Sequence, residues 1–256
     1  VELNAWGSGA RWAVEHGAGI VGLDDVDDFV TAHPVITRAR QATTGLKMTA
    51  TGSVLDVALP TVIEQRVTGI EARRSWSRLI RVLGEPAPGP RQLRVPPAAA
   101  RVAALTDYER RRFGLEARRG AALVLVAKEA NRLERAAELG SDPLQRALVA
   151  LPGIGPWTAA TVAQLVCGDA DAVPVGDWHL PRLIGHALAR ESRADDARML
   201  ELLEPFRPHR GRAIRMLSAA GEGPSRTAPR AEIPDLLGRE LRGEQNIRIR
   251  RTLRFE

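Results

Sequence analysis

The sequence predicts a mainly α-helical protein. Three observations carry that reading. Apolar residues recur every three to four positions across residues 54–83 and again over 117–139. A glycine-punctuated turn at 151–155 separates two further helical runs. A chain of 256 residues with 44% hydrophobic content has ample material for a packed core.

The elements follow in order. Residues 8–16 have helical spacing with Ser8 as N-cap, until Gly17, Gly19 and Gly22 break the pattern and the acidic stretch 24–28 leads to Pro34. From Val35 the signal is helical. The periodic run 54–83 is expected to be interrupted at Pro60 and to end at Gly84. Five prolines in 85–97 make a stiff linker. Helix returns at 98–105, at 108–113 and strongly over 117–139. Gly140, Ser141 and Pro143 then read as a C-cap, an N-cap and a first-turn proline. Residues 144–150 and 156–167 are short helices on either side of the glycine turn. Further helices are expected at 178–188, 194–203 and 209–220. Residues 221–256 change character to a charged, basic tail in which Ile247, Ile249 and Leu253 sit among arginines.

Composition narrows the function. The formal net charge of +6 favours a polyanionic partner such as nucleic acid. Lys47 and Lys128 are the only lysines. Arginine grips phosphate with a planar fork, although a GC-rich genome would leave the same bias. The single cysteine, Cys167, excludes a disulfide framework and any cysteine-rich zinc or iron–sulfur site. No apolar run approaches the roughly 20 residues that span a bilayer, and nothing at the start resembles a signal peptide. The expectation is a soluble cytoplasmic protein, bacterial and associated with the nucleoid. Val1 is not a methionine, so residues upstream of it are expected.

The chemistry concentrates at the turn. In Leu151-Pro152-Gly153-Ile154-Gly155, two glycines flanking one apolar residue permit a tight turn and leave its amides unobstructed. Those amides, with the positive end of the following helix, suit a phosphate oxygen. Ile154 would plug the junction of the two helices. An ordinary helix–helix corner would read the same way from these residues alone. Downstream, Ala172-Val173-Pro174-Val175-Gly176-Asp177-Trp178-His179 ends on an aspartate placed to cap the next helix.

Taken together, the hairpin and this loop resemble the signature of the helix-hairpin-helix DNA glycosylase superfamily: the hairpin, a Gly/Pro-rich loop and an essential aspartate, matched here by Asp177. In that family the aspartate lies at a helix start, so capping and catalysis are compatible. Leu151 to Ala159 is similar to the bacterial alkylpurine (3-methyladenine) DNA glycosylase II group. Phe206-Arg207-Pro208-His209-Arg210 resembles that group's Arg-Pro-Trp-Arg stretch, with His209 for the tryptophan. Glu64-Gln65-Arg66-Val67-Thr68 resembles its Gln-containing segment that wedges into the duplex. The bifunctional lyases of the superfamily carry a lysine at the second position after the last hairpin glycine, where this chain has Trp157. The likeness covers residues 35–220. It departs in the base pocket, where Thr161, Ser218 and Ala219 stand in place of aromatics, and at Arg66, which replaces an apolar wedge.

The resemblance implies two helical subdomains flanking a cleft (35–220), preceded by a remnant of an N-terminal α/β domain (1–34) and followed by the tail (221–256). It implies a monofunctional glycosylase that excises damaged bases, alkylated purines first, from double-stranded DNA during base excision repair, acting as a monomer. Asp177 would be catalytic, and Trp157 and Trp178 would line the base pocket, although Trp157 could equally be plain core. Gly153, Ile154, Gly155, Gln65, Arg66, Arg207 and Arg210 would contact DNA. No cofactor is expected, with room left for a monovalent cation at the hairpin. His179 and His186 share a helix face but lack a third ligand, so no metal is expected. Asp169 and Asp171 read as solvated loop residues. The alternative is a non-enzymatic helix-hairpin-helix DNA-binding protein, a glycosylase whose pocket has lost its aromatics.

Overall fold

The computed structural model describes residues 2–223, so the expected tail lies outside the described residues beyond Gly223. Fourteen α-helices make up the described chain. In order they are α1 (Ala10–Glu15), α2 (Gly17–Ile20), α3 (Pro34–Ala42), α4 (Val54–Glu64), α5 (Gly69–Leu83), α6 (Ala99–Ala103) and α7 (Asp107–Arg112). They continue with α8 (Ala117–Lys128), α9 (Ala130–Glu138), α10 (Ser141–Val149), α11 (Pro156–Cys167), α12 (Leu180–Ala189), α13 (Asp196–Leu203) and α14 (Arg210–Ala219). Among the described residues there is no sheet; one isolated antiparallel bridge joins Pro86 to Arg94.

Two hydrophobic cores organise these helices. The first gathers α4, α5, α6, α8, α9, α10 and α11 around Leu59, Ile63, Leu79, Leu123, Leu133, Leu144 and Leu148. The second packs α3, α12, α13 and α14 around Ile36, Ile184, Met199, Leu203 and Leu217, with Phe29 and Phe206 meeting edge to face at 6.2 Å.

Several expected boundaries move: α10 already includes Ser141, which was expected as its N-cap, and α12 begins at Leu180, two residues later than expected. The run 54–83 does not break at Pro60, which lies inside α4; the break falls between Gln65 and Thr68. An interior proline costs a helix about 3 kcal/mol. Here α4 buries Val54, Val57, Ala58, Leu59, Thr61, Val62 and Ile63 in the first core, and that burial outweighs the penalty. α5 then starts cleanly because the Thr68 side chain accepts from the Glu71 amide at 3.3 Å. The run 117–139 is likewise two helices, bent at Glu129 with φ −92° and ψ 6°. Beyond the bend, the Glu134 carboxylate accepts from the Val54 and Leu55 amides at 3.0 and 3.2 Å, placing an anion on the N-terminus of α4. At the start of the chain, α1 begins after Gly9 with no side-chain cap, so Ser8 does not serve as one.

Residues 2–33, within the stretch expected as a remnant of an N-terminal α/β domain, contain α1 and α2 and no strand. Their anchor is a buried ion pair. Arg212 of α14 donates to both carboxylate oxygens of Asp25 at 2.5 and 2.9 Å, with side-chain exposures of 1% and 6%. The Met48 amide adds a third bond to Asp25 at 3.0 Å. The Arg212 hydrogen bonds outweigh burial and hold the Asp25 carboxyl below its ordinary value.

Candidate active site

The hairpin forms as the sequence predicts, and its backbone explains its residues. The turn between α10 and α11 is closed by the Ile154 amide donating to the Leu151 carbonyl at 3.0 Å. Both side chains are buried, with Ile154 plugged into the first core. Gly153 sits at φ +88°, and a Cβ there would lie 3.1 Å from that of Ala122 on α8, so only glycine fits without strain. Gly155 precedes α11 in extended conformation, and a Cβ built there would meet nothing within 4 Å. It opens α11 at the positive end of the helix, where an anion is favoured.

Gln65 reaches the hairpin from the C-terminus of α4. Its side-chain amide donates to the Gly153 carbonyl at 3.2 Å and to the Thr158 hydroxyl at 2.8 Å. Arg66, the next residue, is exposed and left-handed at φ +56°. Resemblance grouped the two as one DNA-contacting pair; the structure separates them into a side chain bonded within the protein and an exposed cation.

The loop that delivers Asp177 is fastened along its length. Asp169 accepts from the Asp171 and Ala172 amides at 2.7 and 3.0 Å and from the Ser141 hydroxyl of α10. Gln164 donates to the Ala172 carbonyl at 3.2 Å. Asp171 receives the Arg210 guanidinium at 2.9 and 2.6 Å and the Arg210 amide at 3.1 Å. Neither aspartate is the solvated loop residue that was expected. Burial pushes the Asp171 carboxyl upward, but the hydrogen bonds and charge of Arg210 override it and leave the value lowered. The spacing of Asp169 to Asp171, just past the helix-ending Gly168, is the Asx-turn pattern that could have flagged this fastening.

Asp177 itself accepts three hydrogen bonds. One oxygen takes the His179 and Leu180 amides at 2.7 and 2.9 Å, capping α12. The other takes the indole N–H of Trp157 at 3.0 Å. Trp157 belongs to the first turn of α11, so this contact joins the carboxylate directly to the hairpin. Nothing in the sequence signals that bond, which spans 20 positions.

The remaining expected residues scatter. Trp178 is 75% exposed and lies against Arg182, whose guanidinium carbon is 5.4 Å from the ring centre. Arg207 pairs with Glu204 at 2.8 Å and with Asp171 at 3.3 Å. The Arg210 side chain is only 13% exposed, turned inward onto Asp171. His209 is buried beside Phe29, 5.0 Å between ring centres, as part of the second core. Thr161 donates its hydroxyl to the Trp157 carbonyl at 2.8 Å, while Ser218 and Ala219 are exposed near the end of α14. Two surface cavities, of about 450 and 410 Å³, lie beside Cys167 and Asp169 and beside Asp27 and Arg40; Asp177 lines neither. Among the described residues, no three His, Cys, Asp or Glu side chains group as a metal site.

The hairpin that opens α11, the aspartate bonded to that same helix and the two helical cores lie on a fold shared with solved DNA glycosylases. A 3-methyladenine DNA glycosylase from Archaeoglobus fulgidus superimposes with a TM-score of 0.71 at 18% identity, covering 86% of this chain and 78% of its own. An 8-oxoguanine glycosylase/lyase from Clostridium acetobutylicum gives 0.69 at 13% identity, over 82% and 76%. The Schizosaccharomyces pombe 3-methyladenine DNA glycosylase, in complex with abasic DNA, gives 0.60 at 16% identity, over 79% and 94%. No protein-family model matches the sequence, and no curated protein does either.

Proposed function

We propose that this protein is a monofunctional DNA glycosylase that hydrolyses the N-glycosidic bond of damaged bases, with alkylated purines as its substrate class. The observation that carries the proposal is the Trp157–Asp177 hydrogen bond, which ties a carboxylate to the helix that follows the glycine hairpin. A glycosylase must turn its nucleotide out of the stack before it reaches the sugar. Amides at Gly155 and the start of α11 would hold a strand phosphate while the base turns out toward Asp177. As the bond breaks, positive charge develops on the sugar, and the fixed negative charge of Asp177 stabilises it and orients the attacking water. An alkylated purine is already cationic and leaves without a strong general acid. Trp157, at the position where the lyases carry lysine, offers no amine for a Schiff base.

The substrate is double-stranded DNA, engaged by one copy of the chain in a bacterial cytoplasm. The test is a panel of defined duplexes, each holding one lesion, assayed for released base. Release from alkylated-purine duplexes supports the reading, and release from none of the panel overturns it. Two observations favour a second reading, a binding protein without activity. The Asp177 carboxylate already accepts three bonds, and Thr161, Ser218 and Ala219 stand where the resemblance expects pocket aromatics. Tight duplex binding with no release anywhere in the panel would select it.

A further inference from the structure

The loop between α4 and α5 is cross-linked to the rest of the first core at two points. Arg119 of α8, itself buried, donates to the Ile63 carbonyl at 3.0 Å and so caps the C-terminal end of α4 with a positive charge. Gln65 then bonds to Gly153 and Thr158, residues on either side of the Gly155 amide. Between these anchors and Thr68 the chain turns through Arg66 at φ +56°, a left-handed conformation uncommon for a non-glycine residue. A conformation of that kind persists only where the surroundings fix it, and here both flanking anchors are in place. Its result is one exposed guanidinium presented next to the hairpin. A guanidinium is planar, weakly hydrated and stacks on aromatic faces, so it can occupy the space a base vacates in a way that an ammonium cannot.

We propose that Gln65 is a positioning residue that locks Arg66 to the hairpin, so that gripping the strand phosphate and filling the vacated base position occur in fixed register. This rests on the proposed function, since it assumes that the hairpin engages duplex DNA. Gln65 itself does not enter the duplex; its amide is bonded to the protein, and it acts through Arg66.

The experiment uses a duplex with a tetrahydrofuran abasic analogue opposite 2-aminopurine, so no lesion need be known and nothing is cleaved. The fluorescence change at saturating protein reports whether the gap is filled, independently of affinity. Wild type should change the signal from the free-duplex level, because the surroundings of the base opposite the gap are altered. Arg66→Ala, Gln65→Leu and the double variant should all return it to the free-duplex level, the second substitution adding nothing to the first. Thr158→Val, which removes the 2.8 Å bond from its other end and keeps the side chain's shape, should lose part of the signal with the melting temperature within a few degrees of wild type. The inference is overturned if Gln65→Leu retains the wild-type change, if the two losses add, or if the loss in Thr158→Val appears only with a lowered melting temperature. A wild-type protein that binds the duplex with no change in signal refutes the inference and leaves the base-release panel to decide the activity; one that does not bind refutes both.

Discussion

The indole N–H of Trp157 points at Oδ2 of Asp177 from 3.0 Å, so the residue that follows the hairpin also orients the carboxylate. A neutral donor to a charged acceptor contributes about 1.5–3 kcal/mol. Trp157→Phe keeps the ring and removes the donor. It should lower kcat by about ten- to a hundredfold with a smaller change in KM, because the lost interaction holds the group that acts in the transition state. A change confined to KM would instead assign Trp157 to base binding.

Asp177→Asn deletes the charge without changing shape. Base release should fall by at least about a hundredfold, while DNA affinity stays the same or rises. Single-turnover release and equilibrium binding measure the two separately, and near-wild-type turnover would end the catalytic assignment.

The reaction product should be an intact abasic site, with strand breakage only after alkali or heat, and borohydride should trap no protein–DNA adduct. Lys47 is held against the N-terminal segment, its amine 3.5 Å from the Asp25 carbonyl. Lys128 lies at the end of α8, six residues or about 9 Å along the helix from the Ala122 that packs on Gly153. An adduct mapping to either lysine would make the protein a lyase.

Duplex affinity should fall as salt rises, since neutralised phosphates release counterions. Gly153→Val places a branched side chain at φ +88° and 3.1 Å from Ala122, distorting the turn. It should weaken binding to all sequences alike, because backbone contacts position the duplex and do not read bases. Sequence-dependent loss would mean that the hairpin does more than hold phosphate.

Acid should destabilise the protein through Asp25 and Asp171. Both carboxyls are lowered in the folded state, so their stabilisation is fully present above the unfolded value, about 3.9. It is lost as pH falls through the lower folded values. Asp25→Ala leaves the Arg212 guanidinium buried without its partner and should cost about 3–5 kcal/mol at neutral pH. Chemical denaturation at pH 7 and between pH 2 and 5 checks both statements.

Much of this architecture is written locally. The α11 boundaries and the glycine positions of the hairpin follow from residues within a few positions of each other, and they are where sequence and structure agree. What depends on distant packing is not written that way. Pro60 looks like a helix breaker until the burial of its neighbours in α4 is known, and Glu129 looks like mid-helix until Glu134 is seen on the start of α4. The site divides along the same line. Gln65 reads as a surface residue, and only its bonds to Gly153 and Thr158, 88 and 93 positions away, show it working inward. Arg210 reads as a phosphate ligand until Asp171 is found beside it.

The two cores also differ in how the chain supplies them. All residues of the first fall between Val54 and Val166, an unbroken stretch, whereas the second needs Phe29 to Ala39 together with Ile184 to Leu217. During synthesis the hairpin half can therefore condense while the rest is still being made. The other half must wait for α14, and Arg212 then finds Asp25 across 187 positions. Closing so long a loop is slow relative to local helix packing. Refolding should pass through a species with the amides of α10 and α11 already protected from hydrogen exchange and those of α3 and α14 still open.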